Sequence, residues 1–254
     1  MNVLRVGGEY LQERESRGWL ALLIITLTLF LAAIAALAVR SSSTLVRLVT
    51  LVAAVAILAY ARTAARAVVR RLRATRKGRL GEQLTTRLVS RLSNDYYLIN
   101  DLVLARGNID HVLVGPCGIL VLETKRVGGE ITCDGDAWAV NGWARKSHSK
   151  QPKAGAMAVK RFLAAHHPTL RAEFVQAAVV FTDPLCRITT RDAQVDVVRF
   201  SELLPLVAYL ANKRRMPPAL VQSIANAPVP RGTDRPDTLT DRVGVKDVKD
   251  VRKR

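Results

Sequence analysis

The chain has 254 residues, with 39 Lys and Arg against 21 Asp and Glu, a formal net charge of +18 and a pI near 10.7. That length gives one good-sized domain plus appendages, and that charge points to a polyanionic partner, either nucleic acid or anionic lipid. The three cysteines, Cys117, Cys133 and Cys186, show no CxxC spacing and leave an odd one over, which argues against a zinc knuckle or a disulfide framework and for reduced thiols.

Residues 1–18 are polar and mixed in charge and read as a short tail. From Trp19 to Val39 there is no charged residue, enough helix to cross a hydrocarbon layer of about 30 Å. The apolar span is too long for a secretory signal, although Ala35-Ala36-Leu37-Ala38 imitates a cleavage site. A polar link, Arg40 to Arg47, precedes a second apolar run from Leu48 to Ala61. This run spans the membrane if Thr44 to Arg47 joins it and Arg47 snorkels; otherwise it is re-entrant or interfacial. The preferred reading is a transmembrane helical hairpin, about 19–39 and 44–61. Eight Lys or Arg and no acid follow between Arg62 and Arg79, so the positive-inside rule sets this segment, and with two crossings the N-terminus too, in the cytoplasm. The basic stretch, 62–77, reads as a juxtamembrane linker on anionic lipid, with nucleic acid as the sharper alternative.

Leu80, Leu84, Leu88 and Leu92 recur at a spacing of four and predict a helix over Gly78 to Leu92, with Glu82 favoured by the dipole of its first turn. Strands are expected at Tyr96 to Leu104, Ile109 to Val114 and Gly118 to Thr124. The stretch Asn108 to Lys125, NIDHVLVGPCGILVLETK, carries three charges inside two apolar runs. Ile119, Val121, Glu123 and Lys125 share one strand face, and burying a Glu and a Lys there is costly unless they are paired or serve a ligand. A hairpin loop of two or four residues sets Asp110 opposite Glu123, where like charges repel and a divalent cation would relieve them. A three-residue loop with a bulge at Gly118 would set Asp110 opposite Thr124 instead. His111 falls on the other strand face from Asp110, which suits packing or hydrogen bonding better than ligation.

Asp134-Gly135 and Asn141-Gly142 predict tight hairpins within Glu130 to Lys146, with Trp138 and Trp143 most simply packing residues and base stacking as the alternative. Ser149 to His167 reads as a helix exposing Lys150, Lys153, Lys160 and Arg161. Together with Arg126, Arg145 and Lys146 these form a basic cluster suited to a phosphate backbone. Val175 to Phe181 and Val195 to Phe200 read as strands, Ser201 to Lys213 and Pro218 to Ala225 as helices, and 227–254 as a disordered tail.

The order Gly81-Glu82 on a helix, Asp110-His111, Glu123-Thr124-Lys125, then Trp143 and a basic helix resembles the NERD (nuclease-related) domain, a branch of the PD-(D/E)XK nuclease superfamily. The resemblance runs from about Gly78 to Arg199 and implies an α/β, restriction-endonuclease-like core, a mixed central sheet flanked by helices, spanning 78–226. It implies Mg²⁺ or Mn²⁺ at Asp110 and Glu123 with Glu82 as a further ligand, and Lys125 orienting water or stabilising phosphoryl charge. Where the family has Asn-Pro-x-x-Gln this chain has Gln151-Pro152-Lys153-Ala154-Gly155: the usual Gln is absent, and Gln151 substitutes from another position. The function implied is a membrane-anchored, metal-dependent nuclease, its DNA contacts made by Arg126, Arg145, Lys146, Lys150 and Lys153. The alternative is an inactive, membrane-tethered DNA-binding or interaction protein of the same fold, in which Glu123 and Lys125 simply pair.

Overall fold

The computed structural model describes residues 1–5, 9–38, 43–104, 107–166, 174–213 and 215–227. The expected tail therefore lies outside the described residues, apart from Ala227. The chain divides into two compact units, one of residues 1–7 with 84 onward, the other Gly8–Gln83.

The second unit holds α1 (Glu9–Ala38) and most of α2 (Thr44–Val89), whose last residues belong to the first unit. α2 passes without a break through the stretch expected as a linker and through the helix expected to start at Gly78. The reason is composition: Ala, Arg, Leu and Lys are strong helix formers, no proline interrupts them, and Gly78 alone costs too little to end the helix. Glu82 thus lies far from a helix N-terminus, and the first-turn dipole that was to favour it is absent. From Leu51 onward α2 is long and apolar enough to cross a membrane; the described apolar part of α1, Gly18–Leu31, is shorter. Large apolar side chains on both helices, Leu23, Leu27 and Phe30 on α1 and Leu48, Val52, Val55 and Leu58 on α2, are exposed. The two helices meet where the Leu72 side chain closes on Gly18 and the Arg76 guanidinium lies 5.5 Å from the centre of the Trp19 ring.

The first unit is built on a mixed six-stranded sheet in the order β1-β2-β3-β4-β8-β10. Its strands are β1 (Asn2–Arg5), β2 (Tyr97–Leu104), β3 (Gly107–Gly115), β4 (Gly118–Lys125), β8 (Val175–Phe181) and β10 (Asp196–Arg199). β2, β3 and β4 form an antiparallel meander, and β8 returns parallel to β4. Residues 2–5, expected to be tail, form a parallel edge strand on β2. One face packs on α3 (Lys150–His166) and α5 (Pro218–Ala225) through Val112, Val121, Val159, Leu163 and Ile224. The other packs Leu113, Leu120 and Leu122 on α4 (Leu203–Lys213) and on the last turn of α2 through Leu88 and Val89. A mixed sheet with helices on both faces fits a nuclease-like core.

A second, four-stranded sheet, β7-β6-β5-β9, comprises β5 (Gly129–Asp134), β6 (Ala137–Val140), β7 (Trp143–Arg145) and β9 (Cys186–Arg191). Its hairpin turns are Gly135-Asp136, one residue on from the expected Asp134-Gly135, and the expected Asn141-Gly142, where both residues take positive φ as an Asn-Gly turn requires. β9, which no sequence pattern announces, pairs parallel with β5. Ile131, Trp138 and Val140 pack on Phe181 and Val179 of the large sheet.

The β3–β4 turn has two residues, Pro116 and Cys117, between the paired Gly115 and Gly118. A side chain at Gly115 would place its Cβ 2.3 Å from the Tyr96 ring. Gly115→Ala is expected to destabilise the domain by about 1–3 kcal/mol, measured by chemical unfolding, because backbone or ring must shift in a packed core.

Candidate functional site

The two-residue turn decides the register left open by the sequence. Cα partners run from Gly115 with Gly118 to His111 with Leu122, so the next pair in that register is Asp110 with Glu123. Regular pairing stops one step before it. The Asp110 Oδ2 instead accepts the Thr124 backbone N–H at 2.8 Å. Both carboxylates are buried, Asp110 at 9% and Glu123 at 2% exposure. Burial raises the Asp110 pKa well above its ordinary value, with the Thr124 N–H opposing the rise. Burial raises Glu123 as well, the Asp110 charge adds to the effect, and Lys125 opposes it. Two carboxylates that fold and proximity both keep from ionising form a place where a cation is favoured.

One cation of the chain is already there. Lys125, on the same β4 face as Glu123, donates from Nζ to Glu123 Oε1. The ammonium also lies 3.4 Å from Gln151 Oε1, at the start of α3. Gly155 stands where the related pattern has Gln. A Cβ at 155 would lie 3.2–3.3 Å from Ile109 and Val121, so the helix sits too close to the sheet for a long side chain there. Gln151 is one helical turn earlier on the same face. Ser147 Oγ accepts the Lys150 N–H at the head of α3, and buried Ser149 accepts the Trp138 indole N–H at 3.1 Å.

Asp101 belongs to the site and was missed in the sequence. The β2–β3 register puts it opposite Asp110, between the pairs Asn100–His111 and Leu102–Ile109. It is buried, its φ is +51°, and its charge raises the Asp110 pKa further. Asn108 Nδ2 donates to Asp101 Oδ1 at 3.2 Å. The signal was present in Asn100-Asp101, a polar pair within an otherwise apolar strand.

The remaining expected residues are more dispersed. Arg126 is half-buried after Lys125, while Arg145, Lys146 and Lys150 are exposed. Lys153 donates to Gln194. Arg145 is tied to the site through His148, whose pKa is lowered by burial and then by the charges of Lys125 and Arg145. Trp138 is packed as expected, against His148 and Phe181, but Trp143 is 74% exposed because β7 is the sheet edge and its face runs beyond the core. Glu82 is carried by α2 within the helical unit. Among the described residues no three His, Cys, Asp or Glu side chains gather into a metal-binding set. Asp110 and Glu123 nonetheless suit Mg²⁺, which binds through one or two carboxylates and keeps waters or substrate phosphates in its other positions.

On the other face of β3, His111 is fully buried, with Nδ1 2.7 Å from Asn100 Oδ1 and Nε2 without a protein partner. Burial lowers its pKa from 6.5 to about 4. The unfolded chain therefore binds the proton more readily, and His111 contributes stability that is present above pH 6.5 and lost as pH falls through 4. Compared with His111→Gln, the parent is expected to lose up to about 3 kcal/mol of extra stability between those values, read by unfolding titrations across pH. Asp110 and Glu123 act with opposite sign in the same window, and the difference between the two proteins cancels them.

Residues 77–182, from within α2 through the end of β8, match the family model of the nuclease-related domain, NERD. No curated protein and no solved structure matches the chain. The match spans Glu82, Asp110, Glu123, Lys125 and Gln151, and supports a nuclease-related function for the domain.

Proposed function

We propose that the chain is a membrane-anchored, metal-dependent phosphodiesterase acting on nucleic acid at the cytoplasmic face. The observation that carries this reading is the buried Asp110–Glu123 pair with Lys125 and Gln151 beside it, inside the region that matches the nuclease-related family. Asp110 and Glu123 would hold Mg²⁺ or Mn²⁺. The ion would polarise the phosphate and lower the pKa of a bound water. The Thr124 N–H holds the Asp110 carboxylate in place, and Gln151 holds the Lys125 ammonium. The Lys125 side chain keeps 26% exposure, so it can meet a phosphoryl oxygen from solvent and stabilise charge developing there. Arg126, Arg145, Lys146, Lys150 and Lys153 would receive the backbone of the substrate, DNA in the first instance.

Connectivity supports the anchoring. Residues 2–5 and 97–99 pair in one sheet, so the helices between them leave the domain and return to it. Such an excursion crosses a membrane an even number of times or not at all. Exposed apolar faces on α1 and α2, and their contact at Gly18 and Leu72, support two crossings. The basic run Arg62 to Arg79 favours the cytoplasm and anionic lipid on that side.

The Lys125–Glu123 ion pair also supports a second reading, a tethered binding protein in which Lys125 takes the place of a metal. Calorimetric titration of the detergent-solubilised chain with Mn²⁺ separates the two. Binding lost in Asp110→Asn and Glu123→Gln is expected, with Mg²⁺-dependent cleavage of a labelled oligonucleotide falling roughly 100-fold or more in Lys125→Ala. A folded parent that binds no Mn²⁺ would leave the binding-protein reading.

A third outcome concerns stability. Because the Glu123 pKa is raised by folding, its ionisation costs stability as pH rises above the ordinary carboxylate range. In EDTA at neutral pH, Glu123→Gln is expected to raise the melting temperature, and added Mn²⁺ to raise that of the parent alone.

A further inference from the structure

Trp143 is a large aromatic side chain left in solvent at a sheet edge. β7 is the edge strand of the smaller sheet, and its pairs with β6 are Trp138–Arg145, Ala139–Ala144 and Val140–Trp143. Residues facing each other across a ladder share a face. Trp143 and Arg145 therefore continue the face on which Trp138 and Val140 are buried, past the point where the core ends. Trp143 keeps 74% of its surface in solvent, and Arg145 beside it is exposed. From Asn141 to Lys153 the chain carries four Lys or Arg and no acid. The same face leads to the carboxylate site, since Arg145 and Lys125 both act on His148, which packs edge-on to Trp138 at 5.0 Å.

We propose that Trp143 is a stacking platform for an unpaired nucleobase, and that Arg145 and Lys146 hold the flanking phosphates, so that the substrate enters as a single strand. An indole offers a π-face that every base fits, whereas a duplex hides base faces in its own stack. Charge complementarity favours this occupant: an aromatic ring within a run of cations, leading towards a site suited to phosphates. The proposal rests on the nuclease reading for its direction towards Asp110 and Glu123, but the platform itself needs no metal.

The test is fluorescence anisotropy of the full chain in zwitterionic detergent and EDTA with three labelled probes: oligo-dT, a blunt duplex, and an abasic strand. Trp143→Ala is expected to weaken oligo-dT binding roughly 5- to 100-fold, with Trp143→Phe retaining most of it. It is expected to leave duplex and abasic-strand binding unchanged. Equal affinity of parent and Trp143→Ala for oligo-dT, or an equal loss on duplex, would overturn the proposal. So would a tryptophan emission shift on adding phosphatidylserine, but not oligo-dT, that the parent shows and Trp143→Phe lacks, which would assign the face to lipid. Failure of the nuclease reading appears separately, as absent Mn²⁺ binding and cleavage in a protein that still shows the Trp143 dependence.

Discussion

Two carboxylates occupy neighbouring buried positions on one hairpin, and much of the domain's local structure answers that constraint. The two-residue turn at Pro116-Cys117 sets the register that opposes Asp110 and Glu123. Left alone they would repel each other and forfeit hydration, a cost a marginally stable domain bears poorly. The Thr124 N–H and Lys125 each offset part of it, and Gln151 holds Lys125, the three coming from the β4 backbone, the β4 face and the head of α3. The offset is partial, since both pKa values remain raised. A site that folding leaves in electrostatic tension is one that a ligand of opposite charge can relax.

The surrounding packing keeps that site where it is. Gly155 lets α3 approach Ile109 and Val121 closely enough for Gln151 to reach Lys125. On the far side of the sheet, buried His111 and Asn100 hydrogen-bond to each other, and Thr86 at the end of α2 donates to the same Asn100 oxygen at 3.4 Å. Thr85 of that helix meets Thr124 of β4 at 3.4 Å. The hairpin that carries the carboxylates is thus gripped from both faces by polar contacts as well as by apolar ones.

Local signals were legible in the sequence and non-local ones were not. The β3–β4 hairpin, the Asn141-Gly142 turn and α3 are specified by residues next to one another, and the structure has them where the pattern places them. β9 is a Thr- and Arg-rich segment whose partner, β5, lies more than fifty residues earlier, and β1 is further still from β2, so neither carries its own evidence of pairing. α2 looked like three segments because apolar, basic and amphipathic stretches follow one another, yet all three share the same helical propensity. Within the site, Asp110, Glu123 and Lys125 stood out as charges in apolar runs. Asp101 did not, because its meaning depends on being opposite Asp110. Trp143 was read as core because aromatic residues usually are, and only the sheet's edge exposes it.

The edge strand β1 orders events during synthesis. Its partner in β2 is made some ninety residues after it, once both helices have been synthesised. The sheet cannot gain this strand early, so the nascent chain carries a short unpaired segment while α1 and α2 find their places. The entropy of closing so long a loop is reduced if the helices have already brought its ends together. On that account β1 acts as a latch, a strand that joins the sheet only after everything between it and β2 has been made.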